Sequence, residues 1–243
     1  MEVINDLLNY KDMKIIQRKD GFNFSLDSVL LANFVSLNKN TSKVVDLGTG
    51  NAPIPLIMST RTAADIIGVE IQDVSFDLAK RSVAMNQLEN RINIMQGDLK
   101  TISDEIGFER YDVVTCNPPF FKVKHDSHLN ESDYKTIARH EVLATLDDVV
   151  NTAKLLLRNG GYFAMVHRPE RLADIITAFK QHNIEPKRIQ FIHPKPGKEA
   201  NILLIEGKKD GNAGLKVLTP EYSHNGDGSY TDFITSQFSE RND

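Results

Sequence analysis

Apolar and polar positions along this chain follow two periods, and the two take turns. Short β-branched runs bounded by turn residues predict strands; longer stretches with apolar residues three and four apart predict helices. From Val44 onward, "KVVDLGTG" predicts a strand ending in a glycine-rich turn, and "IPLIMSTRT" the helix that follows. "ADIIGVEIQ" is a second strand. In "DVSFDLAKRSVAMNQLE", Val74, Leu78, Val83 and Leu88 mark the apolar face of a helix with charges between them. "RINIMQGD" and "YDVVTCN" are the third and fourth strands. "LDDVVNTAKLLLRNGG" predicts a helix with Leu155 to Leu157 at its end and Gly160 and Gly161 stopping it. "GYFAMVH" is a fifth strand, and Pro169 opens another helix through "ERLADIITAFKQHN". "RIQFIHP" and "NILLIEG" are two more strands with no helix between them.

Strands alternating with helices predict an α/β fold: a doubly wound, mostly parallel, Rossmann-like sheet with helices on both faces. The last two strands, lacking a crossover helix, predict an antiparallel edge. The first forty residues do not follow the alternation. There "GFNFSLDSVLLANFVSL" places Ser25 as an N-cap before an apolar helix running to about Leu37. Residues 1–40 are too few for a core of their own, so they are expected to lean on a main domain spanning 41–243. The polar, turn-rich segment after Leu218 is expected to be surface strand or loop.

Composition changes this picture little but excludes several classes. The formal net charge of -4 excludes a uniformly basic nucleic-acid binder. A local basic face survives, because Lys180 to Lys209 hold seven Lys or Arg against three Glu. Within that stretch, "HPKPGK" sets Lys195 and Lys198 in a turn where they could meet phosphates. The single cysteine, Cys116, excludes an intrachain disulfide framework and fits a reducing compartment. The opening "MEVINDLLNY" has no signal-peptide pattern, and no apolar run reaches the ~20 residues of a membrane span. A cytoplasmic protein with no membrane attachment and no stable protein partner is expected.

The candidate chemistry lies at strand ends. In "VVDLGTGNAPIPL", Gly48 and Gly50 let the backbone turn tightly and approach a ligand. They follow Asp46 at the carboxyl end of the first strand, where doubly wound sheets bind ligands. Glu70 ends the second strand, placed to accept hydrogen bonds from two ribose hydroxyls. Asp98 ends the third, where a carboxylate could accept from an adenine amine. Each acid alone reads as a solvated strand end; three on consecutive strands predict a rim that binds a nucleoside-containing cofactor.

The fourth strand exits into "NPPFF". Pro118 has no N–H, and each proline biases its predecessor away from helix, so the exit is a stiff extended turn. It would hold the Asn117 side chain and the Pro118 carbonyl as two fixed acceptors beside Phe120. Two acceptors and a stacking face suit a planar group carrying an NH₂. Cys116 offers a rival reading as a nucleophile, but it sits inside the strand, where a cysteine serves as a small apolar residue. His125 and His128 lack the companions of a zinc site, so no metal is expected.

Together "DLGTGNAPIPL", "GVEIQ", "QGDL" and "NPPFF" resemble the successive motifs of class I S-adenosylmethionine-dependent methyltransferases of the small-domain type. "FNFSLDSVLLANF", "ARHEVLATLDDVV" and "FIHPKPGKEANILLIEG" extend the resemblance over nearly the whole chain. It implies methylation of a nitrogen, Asn-Pro-Pro-aromatic being similar to the signature of enzymes acting on amino or amide groups. It further implies N6 of an adenine in tRNA, the anticodon-adjacent adenine of a valine tRNA. By this resemblance Asp46, Gly48, Gly50 and Asn51 shape the methionine end of the cofactor pocket. Glu70 and Ile71 hold the ribose side, and Asp98 and Leu99 the adenine. Phe24 and Asp27 belong to an element covering the cofactor. Asn117, Pro118, Pro119 and Phe120 hold the target nitrogen, Asn117 also bordering the cofactor. Phe121, Arg139, His140, Lys195 and Lys198 are the expected RNA contacts; with Glu141, the Arg139 and His140 pair could equally be a structural ion cluster. The alternatives are N-methylation of guanine N2 in ribosomal RNA or of a release-factor glutamine, and a non-catalytic nucleic-acid binder on the same fold.

Overall fold

The structure, a computed structural model, describes residues 1–7, 12–18, 25–118 and 144–238. A hairpin opens the chain, β1 (Glu2–Asp6) pairing antiparallel with β2 (Lys14–Arg18). Helix α1 (Leu26–Phe34) leads into the main sheet. Then follow β3 (Lys43–Leu47), α2 (Pro53–Ser59), β4 (Asp65–Glu70), α3 (Asp73–Met85), β5 (Ile92–Gln96), α4 (Ile102–Ile106) and β6 (Tyr111–Cys116). Beyond residue 143 come α5 (Leu146–Leu156), β7 (Leu157–His167), α6 (Leu172–Gln181), β8 (Ile184–His193) and β9 (Ile202–Lys209). Two short strands, β10 (Lys216–Val217) and β11 (Glu221–Tyr222), and α7 (Asp232–Gln237) complete the described elements.

The sheet order is β10-β8-β9-β7-β6-β3-β4-β5, with β11 also on β8. Strands β3 to β7 pair in parallel, as the alternation predicts. Strand β9 lies antiparallel between β7 and β8, which is the expected antiparallel edge. Because β9 opposes both neighbours, β8 runs with β7. The carboxyl ends of β3, β4, β5, β6, β7 and β8 therefore share one rim. All six residues of β6 are buried, fitting a central strand covered on both faces. On one face Val44, Val113, Ala164 and Leu204 pack with α1, α2, α3 and Ile234 of α7. On the other, Val45, Val114, Phe163 and Leu203 pack with Val149, Ala153, Ile175 and Phe179 of α5 and α6.

Helix α5 begins with a capping box, the Thr145 hydroxyl accepting from Asp148 N at 3.1 Å while the Asp148 carboxylate accepts from Thr145 N at 2.8 Å. Its end differs from the sequence expectation. The helix stops at Leu156 and β7 starts at once, so Gly160 and Gly161 lie inside the strand. They serve a bulge there: the β6–β7 register shifts between Tyr111 and Val113, Gly160 has φ +77°, and a Cβ on Gly161 would stand 3.0 Å from the Asp112 carbonyl. Helix α1 ends at Phe34, short of Leu37, and Ser25 occupies its N-cap without a side-chain cap bond. The β1–β2 hairpin, α4 and α7 have no counterpart in the expectations above.

The carboxyl end of α1 is tied to the sheet through a buried acid. Glu206 on β9, 1% exposed, accepts from Ser36 N at 2.7 Å, from the Ser36 hydroxyl at 2.8 Å and from Arg188 Nε at 3.0 Å. Arg188 also donates to the Phe34 carbonyl at 2.6 Å and lies 4.5 Å above the Phe34 ring. From α7, the Gln237 carbonyl accepts from Asn33 Nδ2 at 2.9 Å. Among the described residues no helix is long and apolar enough to cross a membrane.

Candidate active site

Strand β3 delivers Asp46 to the rim fully buried. Its Oδ1 accepts from the Thr115 hydroxyl of β6 at 2.6 Å, while Oδ2 has no hydrogen-bond partner among the described residues. Burial pushes the Asp46 carboxyl up to about 7, the nearby hydroxyls of Thr115 and Thr49 opposing the rise and the charge of Glu70 adding to it. The following turn alternates left-handed residues: Gly48 at φ +68°, Gly50 at +59° and Ala52 at +70°. For alanine this conformation costs roughly 1–2 kcal/mol. The turn is held by Thr49 N donating to the Val69 carbonyl at 2.9 Å. Among the described residues, a Cβ on Gly48 or Gly50 would meet nothing within 4 Å. Pro53 starts α2 at its first position, as expected.

Glu70 is 6% exposed at the end of β4. Its Oε2 accepts from Gly50 N and its Oε1 from Gln72 N, both at 2.9 Å. The carboxylate thus braces the glycine turn, and each oxygen keeps a second lone pair. Ile71 beside it is exposed. Asp98, half-buried past β5, accepts from Lys100 N at 2.9 Å, and Leu99 follows. Asn51 is buried and donates through Nδ2 to the Ile16 carbonyl at 2.8 Å, tying the turn to the N-terminal hairpin.

Asn117 and Pro118 leave β6 half-buried at the same rim. Asn117 Nδ2 donates to the Ser28 hydroxyl of α1 at 3.0 Å. That bond points the amide nitrogen at α1 and leaves Oδ1 without a donor among the described residues. One residue before Ser28, Asp27 is held above the usual carboxylate range by burial, with the charge of Arg168 opposing. His167, at the end of β7, is driven down to about 4, chiefly by burial, and its Nδ1 accepts from Arg168 N at 2.8 Å. Cys116 is 2% exposed, and burial followed by the Asp46 charge raises its thiol well above the ordinary value. Such a thiol stays protonated and is no nucleophile.

The structure thus gathers Asp27, Asp46, Gly48, Gly50, Asn51, Glu70, Ile71, Asp98, Leu99, Asn117 and Pro118 along or beside one rim. Lys195 and Lys198 stand exposed just past β8, whose carboxyl end belongs to that rim. Phe24, Pro119, Phe120, Phe121, Arg139, His140 and Glu141, with His125 and His128, lie outside the described residues. Ser28 and Thr115 are absent from the sequence reading. A serine one turn into an apolar helix and a threonine inside a strand carry no local signal of a partner on another element. Among the described residues no three His, Cys, Asp or Glu side chains gather as a metal site.

A family model described as RNA methyltransferase matches residues 15–181. The chain is 30% identical over 208 residues to the tRNA1(Val) (adenine(37)-N6)-methyltransferase of Porphyromonas gingivalis, covering 83% of this chain and 80% of that protein. It is 26% identical over 220 residues to the enzyme of the same name from Parabacteroides distasonis, covering 90% and 89%. Among solved structures, an Agrobacterium tumefaciens protein described as a predicted O-methyltransferase superposes with a TM-score of 0.70 at 22% identity, over 89% of this chain and 100% of that one. The geranyl diphosphate C-methyltransferase of Streptomyces coelicolor superposes at 0.56 with 11% identity, over 75% and 76%. These two likenesses concern the fold alone. The family match, over residues 15–181, covers more than half of the chain: this chain belongs to the RNA methyltransferase family.

Proposed function

We propose that this chain transfers the methyl group of S-adenosylmethionine to the N6 amine of an adenine in tRNA. The observation that carries the reading is the Asn117 carboxamide, turned by Ser28 so that Oδ1 is left to accept at the rim. An exocyclic amine offers two N–H donors, and Asn117 Oδ1 with the Pro118 carbonyl supplies two acceptors. The names printed for the Porphyromonas and Parabacteroides relatives support adenine 37 of tRNA1(Val) as the target base.

The residues on the rim fit the cofactor. Among the described residues, Asp46 presents an oxygen without a partner and nothing crowds the turn at Gly48 and Gly50; with Asn51 they would hold its methionine end. Glu70 and Ile71 would hold the ribose, Asp98 and Leu99 the adenine. The segment 1–40, with Phe24 and Asp27, is assigned to the cofactor side, and residues 41–243 to the methyltransferase domain. When bound, the cofactor supplies an electrophilic methyl group on a sulfonium.

The chain's own work is orientation. An adenine amine is a weak nucleophile because its lone pair is delocalised into the ring. Two acceptors on its hydrogens draw the nitrogen toward a tetrahedral shape and fix the direction of the lone pair. The same acceptors stabilise the positive charge that grows on nitrogen. The proton leaves afterwards, so no general base is needed before transfer. Phe120 is assigned the stacking face for the base, and Phe121, Arg139, His140, Lys195 and Lys198 the RNA contacts.

Asn117→Ala tests the reading. Loss of an aligned acceptor is expected to lower single-turnover methylation of tRNA by about 10²–10³-fold, with cofactor affinity changed far less. Nucleoside mass spectrometry of tRNA from a strain lacking the enzyme, after incubation with the wild-type protein, is expected to show new N6-methyladenosine. A methyl group found on guanine or on ribose instead would refute the proposal.

A further inference from the structure

We propose that Ser28 is a positioning residue for methyl transfer, holding the Asn117 carboxamide in place with Oδ1 left for the target amine. The inference rests on the reading that Asn117 Oδ1 accepts from that amine. A primary carboxamide has two nearly isosteric ends, one an acceptor and the other a donor. Turned one way it accepts from an amine; turned the other it presents N–H to N–H and is useless there. In the structure the useful orientation is held by a bond from another element, Asn117 Nδ2 donating to the Ser28 hydroxyl at 3.0 Å across 89 residues.

Ser28 is suited to the task because it is itself held. It is 5% exposed, and its own N–H donates to the Ser25 carbonyl at 3.1 Å. The helix carrying it is anchored at and beyond its carboxyl end by Glu206, Arg188 and Arg61, which donates to the Ala32 and Val35 carbonyls. The serine oxygen therefore stands at a fixed, buried location, where it accepts from Asn117 Nδ2; losing that partner costs the amide a hydrogen bond.

Three variants and a double variant test this by single-turnover methylation of tRNA from a strain lacking the enzyme, with cofactor affinity measured by calorimetry. Ser28→Ala is expected to lower the transfer rate about tenfold, the effect of one lost buried hydrogen bond, and to leave the cofactor dissociation constant within about twofold. Ser28→Thr keeps the hydroxyl and is expected to transfer faster than Ser28→Val, which has the same shape without it. Adding Ser28→Ala to Asn117→Ala is expected to change nothing further, because the serine acts only through the amide. A wild-type rate for Ser28→Ala beside a dead Asn117→Ala overturns the inference and spares the role of Asn117. An active Asn117→Ala enzyme overturns both. Equal rates for the Thr and Val variants, or additive losses in the double variant, also overturn the inference.

Discussion

Asp46 is the residue under greatest electrostatic strain at the rim, and the strain has a measurable sign. Its carboxyl titrates at about 7 in the folded chain because it is buried, against ~3.9 when unfolded. Between those values the folded chain holds a proton that the unfolded chain has released, so stability falls as pH rises from about 4 to about 7. Asp46→Asn is expected to abolish that fall and to exceed wild-type stability at pH 8 by up to about 4 kcal/mol. Urea titrations at pH 5 and pH 8 check it; an unchanged pH dependence would refute the assignment. Glu70 carries the opposite expectation. Its two oxygens each accept a backbone N–H, and glutamine can satisfy only one of them. Glu70→Gln should cost about 1–3 kcal/mol of stability and weaken S-adenosylmethionine binding at least tenfold by calorimetry. An unaltered dissociation constant would place the ribose elsewhere. Asp46, Glu70, Asp98 and Asn117 were legible in the sequence because each follows an apolar run that ends beside it. Ser28 and Thr115 gave no such sign: their bonds reach Asn117 and Asp46, 89 and 69 residues away.

Among the elements, α1 depends most on distant partners. Removing Arg188 would leave the Glu206 carboxylate buried with only the Ser36 donors. Arg188→Met is therefore expected to destabilise the fold by about 3–5 kcal/mol, the usual penalty for breaking a buried pair from one side. Glu206→Gln with Arg188→Met should recover part of that loss, since the double variant leaves no unpaired buried charge. Equal urea midpoints for Arg188→Met and wild type would show that the pair contributes nothing. The parallel strands and the antiparallel edge were readable because buried strands form continuous apolar runs. The boundary between α5 and β7 was not, since Gly160 and Gly161 mark a helix stop and a strand bulge with the same residues. The β1–β2 hairpin escaped because its strands are amphipathic, polar and short: four of the five β1 residues are exposed. Helix α7 is six residues, four of them exposed or half-buried, with too little apolar pattern to announce itself.

At the scale of the whole molecule, an acidic chain must meet a polyanion through a small part of its surface. Replacing Lys195 and Lys198 by alanine is expected to flatten the slope of log RNA affinity against log salt by about 0.7 for each lost phosphate contact, while cofactor affinity stays unchanged. An identical salt slope would show that RNA lies elsewhere on the rim. The sheet order carries one more consequence, for the making of the protein. Strand β9 is synthesised after β8 yet lies between β7 and β8. A chain emerging from the ribosome exposes β7 as an open edge, and β8 has no place in the sheet until residues 202–209 appear. Helix α1, among the first elements made, has Arg61 at its carboxyl end early and waits for Glu206 on that late strand for the bonds to Ser36. A translation product cut short before Ile202 would carry Asp46, Glu70, Asp98 and Asn117 and still lack Glu206. The last ties of α1 to the sheet would therefore form only after the rim acids had been made.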